Sequence, residues 1–124
     1  MLYAILCYNS EDVVGAWTKE EDEEVMARLA VVQGRLREQG RLGPVARLLP
    51  TTAATTLRKG GDEPLVIDGP FAETKEQLLG FYIVDCADLD AALDVARDLA
   101  AANPGTGSYE IRPVGAFFPA GRGA

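Results

Sequence analysis

Apolar and polar positions along the chain predict a regular alternation of strands and helices. Residues 2–8 place Leu2, Ala4 and Leu6 on one side and Tyr3, Ile5 and Cys7 on the other. A strand apolar on both sides is expected to be buried on both. Thr18-Lys19-Glu20-Glu21 then forms a capping-box pattern, in which Thr18 and Glu21 satisfy the helix end reciprocally. The acidic run Glu20–Glu24 falls in the first turns, where the helix dipole favours negative charge. Val25, Leu29, Val32 and Leu36 come next as one apolar stripe, Arg35 and Arg37 lie near the end, and Gly40 is a stop. The spacing predicts a helix over 18–39.

A strand is expected around 44–49, broken by Pro50-Thr51-Thr52. Ala54–Arg58 and Pro64–Asp68 read as two strands of a hairpin joined by Lys59–Glu63. Thr74-Lys75-Glu76-Gln77 repeats the capping-box pattern and predicts a helical turn closed by Gly80. Residues 81–86 form the most apolar strand. Asp88 is placed to cap a second helix, with Leu89, Leu93, Ala96 and Leu99 or Ala100 on its apolar face, ending at Asn103-Pro104-Gly105. Ser108–Val114 supplies a last strand, and residues 119–124 read as a flexible glycine-rich tail after a single domain over 1–118.

The order β-α-β, hairpin, β-α-β predicts an α+β, ferredoxin-like sandwich: an antiparallel sheet with both helices on one face. Strands 2–8 and 81–86 are apolar on both sides, so the other face needs a cover. Pairing with a second copy supplies one, and a homodimer is expected. In this topology Cys7 and Cys86 lie too far apart along neighbouring strands for a disulfide.

Composition removes several function classes. The net charge of −7 over 124 residues argues against a nucleic-acid binder and against an anionic membrane surface. No apolar run approaches the roughly 20 residues of a membrane span, and the N-terminus lacks the basic start of a signal peptide. Two cysteines among apolar neighbours suit reduced thiols in a cytoplasmic protein. With no histidine, the chain lacks the commonest general base, and a metal site is not expected. No cofactor is implied, since dinucleotide and phosphate-loop fingerprints are missing, and Ser10 and Ser108 lack a histidine partner.

Asp68-Gly69-Pro70-Phe71-Ala72-Glu73-Thr74-Lys75-Glu76-Gln77-Leu78 resembles the signature of the DGPF family, a branch of the YCII-related group of dimeric α+β barrel proteins. Ala54–Arg58, Gly80–Asp85 and Glu110–Val114 resemble the same family, so the likeness covers most of 54–114. It implies a dimeric α+β barrel and no particular reaction. Some members are associated with extracytoplasmic-function sigma factors. Relatives outside this branch carry a histidine on the first helix, proposed to work with an aspartate. This chain has none, so that dyad does not carry over.

The DGPF stretch gathers polar groups beside rigid turns. An Asx-turn at Asp68 would bond the N–H two residues on, but Pro70 has none. The carboxylate must reach Phe71 or Ala72 N–H, a cation, or a ligand. It either braces the loop or, like Glu73, serves as a general base. Arg58 and Lys75 are candidates to hold an anionic or carbonyl oxygen, and Tyr82 and Arg112 are further candidate binding residues. The bland alternatives are surface ion pairs for the charged groups and core packing for Tyr82. Phe71 is expected to plug the loop into the core. The stretch supports two readings of function. One is a small-molecule catalytic or binding pocket beside the Asp68–Gln77 loop. The other is a regulatory or protein-interaction module, with the acidic first helix meeting a partner.

Overall fold

In a computed structural model, which describes residues 1–119, the chain forms a four-stranded antiparallel sheet, three helices and a projecting hairpin. The elements are β1 (Leu2–Asn9), α1 (Glu11–Gly15), α2 (Lys19–Glu38), β2 (Leu42–Arg47), β3 (Thr55–Arg58), β4 (Leu65–Asp68), β5 (Gln77–Asp85), α3 (Leu89–Ala102) and β6 (Ser108–Pro113). The main sheet runs β2-β5-β1-β6, with β3 and β4 paired separately. This is the ferredoxin-like order, and the α+β expectation holds. The tail beyond Pro119 lies outside the described residues. No helix among the described residues is long and apolar enough to cross a membrane.

Local chemistry sets the helix ends. Thr18 Oγ1 accepts from Glu21 N at 3.1 Å while Glu21 Oε1 accepts from Thr18 N at 3.0 Å, closing the predicted box. Gly40, at φ 68°, takes the left-handed turn that ends α2. Asp88 Oδ1 accepts from Ala91 N and starts α3.

Both long helices pack on one face of the sheet. Tyr3 and Ile5 of β1 and Tyr82 and Val84 of β5 meet Val25, Leu29, Val32 and Leu36 of α2 and the buried stripe of α3. That stripe is Ala92, Val95, Ala96, Leu99 and Ala102: Ala96 and Leu99 are as expected, while Leu89 and Leu93 are not fully buried. Leu89, the first residue of α3, is 51% exposed. On the opposite sheet face Leu2, Ala4, Leu6, Phe81 and Ile83 remain only half-buried. Leu6 lies between Phe81 and Glu110, and Ala4 between Ile83 and Arg112, across three adjacent strands.

Two further local expectations are corrected. Residues 74–77 form no helical turn: Thr74 Oγ1 donates to Glu76 O, Gln77 Nε2 donates to Thr74 O, and β5 already begins at Gln77. A capping box stabilises a helix only when helical turns come after it. Here the pairing of Gln77 with Asn9 and Leu78 with Tyr8 takes the chain into the sheet instead. The short helix α1 has no counterpart among the expected elements, and β2 begins two residues earlier than expected.

Candidate functional site

Helix α1 and the start of α2 do not lie flat on the sheet. Between them and the strands is a cavity of about 510 Å3 that opens to solvent on the side of Leu48 and Leu49, within the range of small-molecule sites. Val14 and Trp17 roof it, Val25, Met26 and Leu29 of α2 form one wall, and Cys7 and Tyr82 lie on the sheet beneath. Leu48, Leu49 and Pro50, just past β2, line the open side. Cys7 and Tyr82 face the helices because they share the strand faces of Ile5 and Val84.

Charged groups at this cavity are already engaged. Both oxygens of Glu11 accept from Thr51, from its N–H at 2.7 Å and its Oγ1 at 2.8 Å. Glu11 N donates to Gln77 Oε1 at 2.9 Å, so α1 is fastened both to the segment after β2 and to the head of β5. Arg47 meets Asp22 with two hydrogen bonds, 2.8 and 3.2 Å, and ties the end of β2 to the first turns of α2. The remaining polar groups are neutral at physiological pH. Burial raises the Tyr82 hydroxyl above its ordinary pKa, and the neighbouring Gln33 amide offsets part of this. Burial likewise pushes the Cys7 thiol up to about 12.

The Cys7 shift has a pH consequence. In the unfolded chain the thiol ionises near 9.0, whereas in the fold it keeps its proton to about 12. Its contribution to stability is therefore full below pH 9.0 and declines across pH 9.0 to about 12. Urea midpoints should fall more steeply across this window for the natural chain than for Cys7→Ala. Parallel curves would show a thiol that is not desolvated.

Of the residues singled out by sequence, Tyr82 alone lines this cavity. Asp68, Arg58, Glu73 and Lys75 are exposed on or beside the β3–β4 hairpin, and Arg112 is exposed on the edge strand β6. Among the described residues these five share no ion pair or side-chain hydrogen bond with one another. The loop after β4 is braced by other groups: Thr56 Oγ1 donates to Gly69 O at 2.8 Å, Gly69 N to Ala54 O at 2.7 Å, and Arg58 Nη2 to Phe71 O at 3.3 Å. Phe71 does not plug the core; it is 76% exposed, because the hairpin stands off the main sheet. The cavity still borders this loop, since Leu79 and Gly80 line it just beyond Gln77. Sequence reading missed Glu11, Trp17, Met26 and Asn103. Their one visible signal was the apolar Val13-Val14 and Trp17 in an otherwise polar connection.

The family model for the YCII-related domain matches residues 1–117. The uncharacterized protein R00369 of Rhizobium meliloti (strain 1021) is 66% identical over 119 residues, which is 96% of each chain. A match spanning nearly the whole described chain, on a ferredoxin-like α+β fold, leads to one assignment: this chain belongs to the YCII-related family.

Proposed function

We propose that this chain acts as a homodimer that binds a small, mostly apolar molecule in the cavity beneath α1. The observation that carries this reading is the cavity itself: about 510 Å3, walled by Val14, Trp17, Met26, Leu29 and Leu49, and held open by the Glu11 and Arg47 bonds at its edges. An engineered apolar cavity of about 150 Å3 suffices for benzene, so this one has room for a bicyclic molecule. With both Glu11 oxygens engaged by Thr51 and the Cys7 and Tyr82 groups held protonated, the cavity favours binding over proton abstraction. The half-buried face of Leu2, Ala4, Leu6, Phe81 and Ile83 supports the dimer, because an apolar sheet face of this kind calls for a second layer. Asp68 and Glu73, with Arg58 and Lys75, are available to a ligand only from outside the cavity, and binding here needs none of them.

A neutral probe of the right size tests the reading. At about ten times its dissociation constant, 2-methylnaphthalene should raise the melting temperature by about 5 °C. Met26→Trp, which fills the chamber, should fold with an unchanged far-UV spectrum and lose that shift. No shift in the natural chain, or an equal shift in the filled variant, would remove the proposal.

A further inference from the structure

Apart from Glu11, Asp22 and Arg47, which pair elsewhere, the cavity has three polar lining groups in one corner. Cys7 of β1, Tyr82 of β5 and Asn103 at the end of α3 all line it. Tyr109 stands opposite Cys7 in the β1–β6 register, and its hydroxyl accepts from Asn103 Nδ2 at 3.3 Å. The other half of that amide is unused. Asn103 Oδ1 is withdrawn from solvent and has no hydrogen-bond partner, alone in this among the buried side-chain atoms of the described residues. A buried acceptor left unpaired costs about 1–3 kcal/mol. Native folds keep few such atoms, and those they keep often belong to function or to a bound molecule. By contrast Asn9, the other buried amide nearby, is paired at both ends, with Ser10 N at 2.8 Å and Thr106 O at 3.0 Å.

Charge and shape narrow what could meet Asn103. The corner holds a thiol, a phenol and an amide, with the Tyr109 phenol behind the amide, none charged at neutral pH; among the described lining residues the one cation is Arg47, which Asp22 occupies. A carboxylate or ammonium seated against these groups would give up hydration without meeting a free opposite charge. A ketone or ether offers acceptors alone and leaves Oδ1 unpaired. A hydroxyl can donate, and so it pairs Oδ1 as the amide stands, with Nδ2 held on the Tyr109 hydroxyl. The hydrocarbon body then has Trp17, Met26 and Leu29 to lie against.

Resting on the proposed binding in this cavity, we infer that the ligand is an uncharged aromatic or bulky aliphatic alcohol, with a small turn of the Asn103 side chain bringing Oδ1 onto its hydroxyl. Asn103 is then the specificity-determining residue of the site, and the rest of the wall supplies affinity without discrimination.

Two isosteric probes separate the alcohol assignment from the cavity binding on which it rests. By calorimetry at neutral pH, 2-naphthol should bind about tenfold more tightly than 2-methylnaphthalene, the difference one buried hydrogen bond makes. Asn103→Leu should bring the two neutral probes to within about twofold of each other, whatever their absolute affinities become, and the anion 2-naphthoate should bind neither protein. Equal affinities for the two neutral probes in the natural chain would overturn the alcohol assignment and leave the cavity reading standing. A preference that survives in Asn103→Leu would overturn the role of Asn103. Binding of neither neutral probe would sink the cavity reading itself. The comparison in the natural chain decides the assignment even where Asn103→Leu fails to fold.

Discussion

Gly80→Val is expected to destabilise the fold by about 3 kcal/mol, the scale of a severe overpacking change. Gly80 is buried in the middle of the sheet, opposite Cys7 on β1 and Arg47 on β2. A Cβ built there overlaps the Ala46 carbonyl oxygen and crowds Arg47 Cα at 3.3 Å, both of them backbone that no rotamer change can clear. The strand β2 would have to peel from β5, giving up the Leu48 N to Leu79 O bond at 2.8 Å and displacing Arg47 from Asp22. The same movement deforms the cavity, since Ala46, Arg47 and Gly80 line it. Urea unfolding should therefore show a lower midpoint for Gly80→Val, and 2-methylnaphthalene should recover less of the loss than its gain in the natural chain. A midpoint displaced by less than about 0.5 kcal/mol, the range of ordinary surface changes, would mean that β2 does not approach this closely.

Under the proposed sheet-to-sheet dimer, Leu6→Glu should leave single chains at micromolar concentration where the natural chain pairs. Leu6 sits on the sheet face away from the helices, with Phe81 on one neighbour and Glu110 on the other. Within one chain it is only half-buried, so a carboxylate there can reach water and the fold should survive. Against a second sheet the same carboxylate would be sealed in, beside Glu110, at a cost of several kcal/mol. Light scattering gives the masses, and far-UV circular dichroism shows that the chain remains folded. Leu6→Met, close in volume, should keep the pair together. A natural chain that scatters as one subunit at this concentration would end the dimer proposal. An unchanged two-chain mass in Leu6→Glu would place the contact on another surface.

Much of the architecture is written in short-range pattern. Thr18 and Glu21 are three residues apart, and their mutual bonds need no distant partner, so the start of α2 is legible. Asp88 with Ala91 and the turn at Gly40 are equally local. The alternation in 2–8 and the order of elements restrict the strand pairing, because few topologies connect β-α-β units without crossing. Residues 74–77 carry the same box spelling as Thr18–Glu21 and do not form a helix. The difference lies in the residues just beyond them: pairing of Leu78 with Tyr8 and of Gly80 with Cys7, partners about 70 positions away in the chain, draws them into β5.

The candidate site belongs mostly to that second, non-local kind. The sequence determined the strands and the two long helices, their order, the polar DGPF loop and the absence of histidine chemistry, since each depends on neighbours within a turn or on residue type alone. Tertiary structure decided the rest: that Glu11 reaches Thr51, that α1 roofs a chamber over Cys7 and Tyr82, and that Asn103 keeps an unpaired oxygen. A cavity is the space left when distant segments pack imperfectly. Its position is set by contacts between residues far apart in the chain, and no local pattern of apolar and polar positions records it.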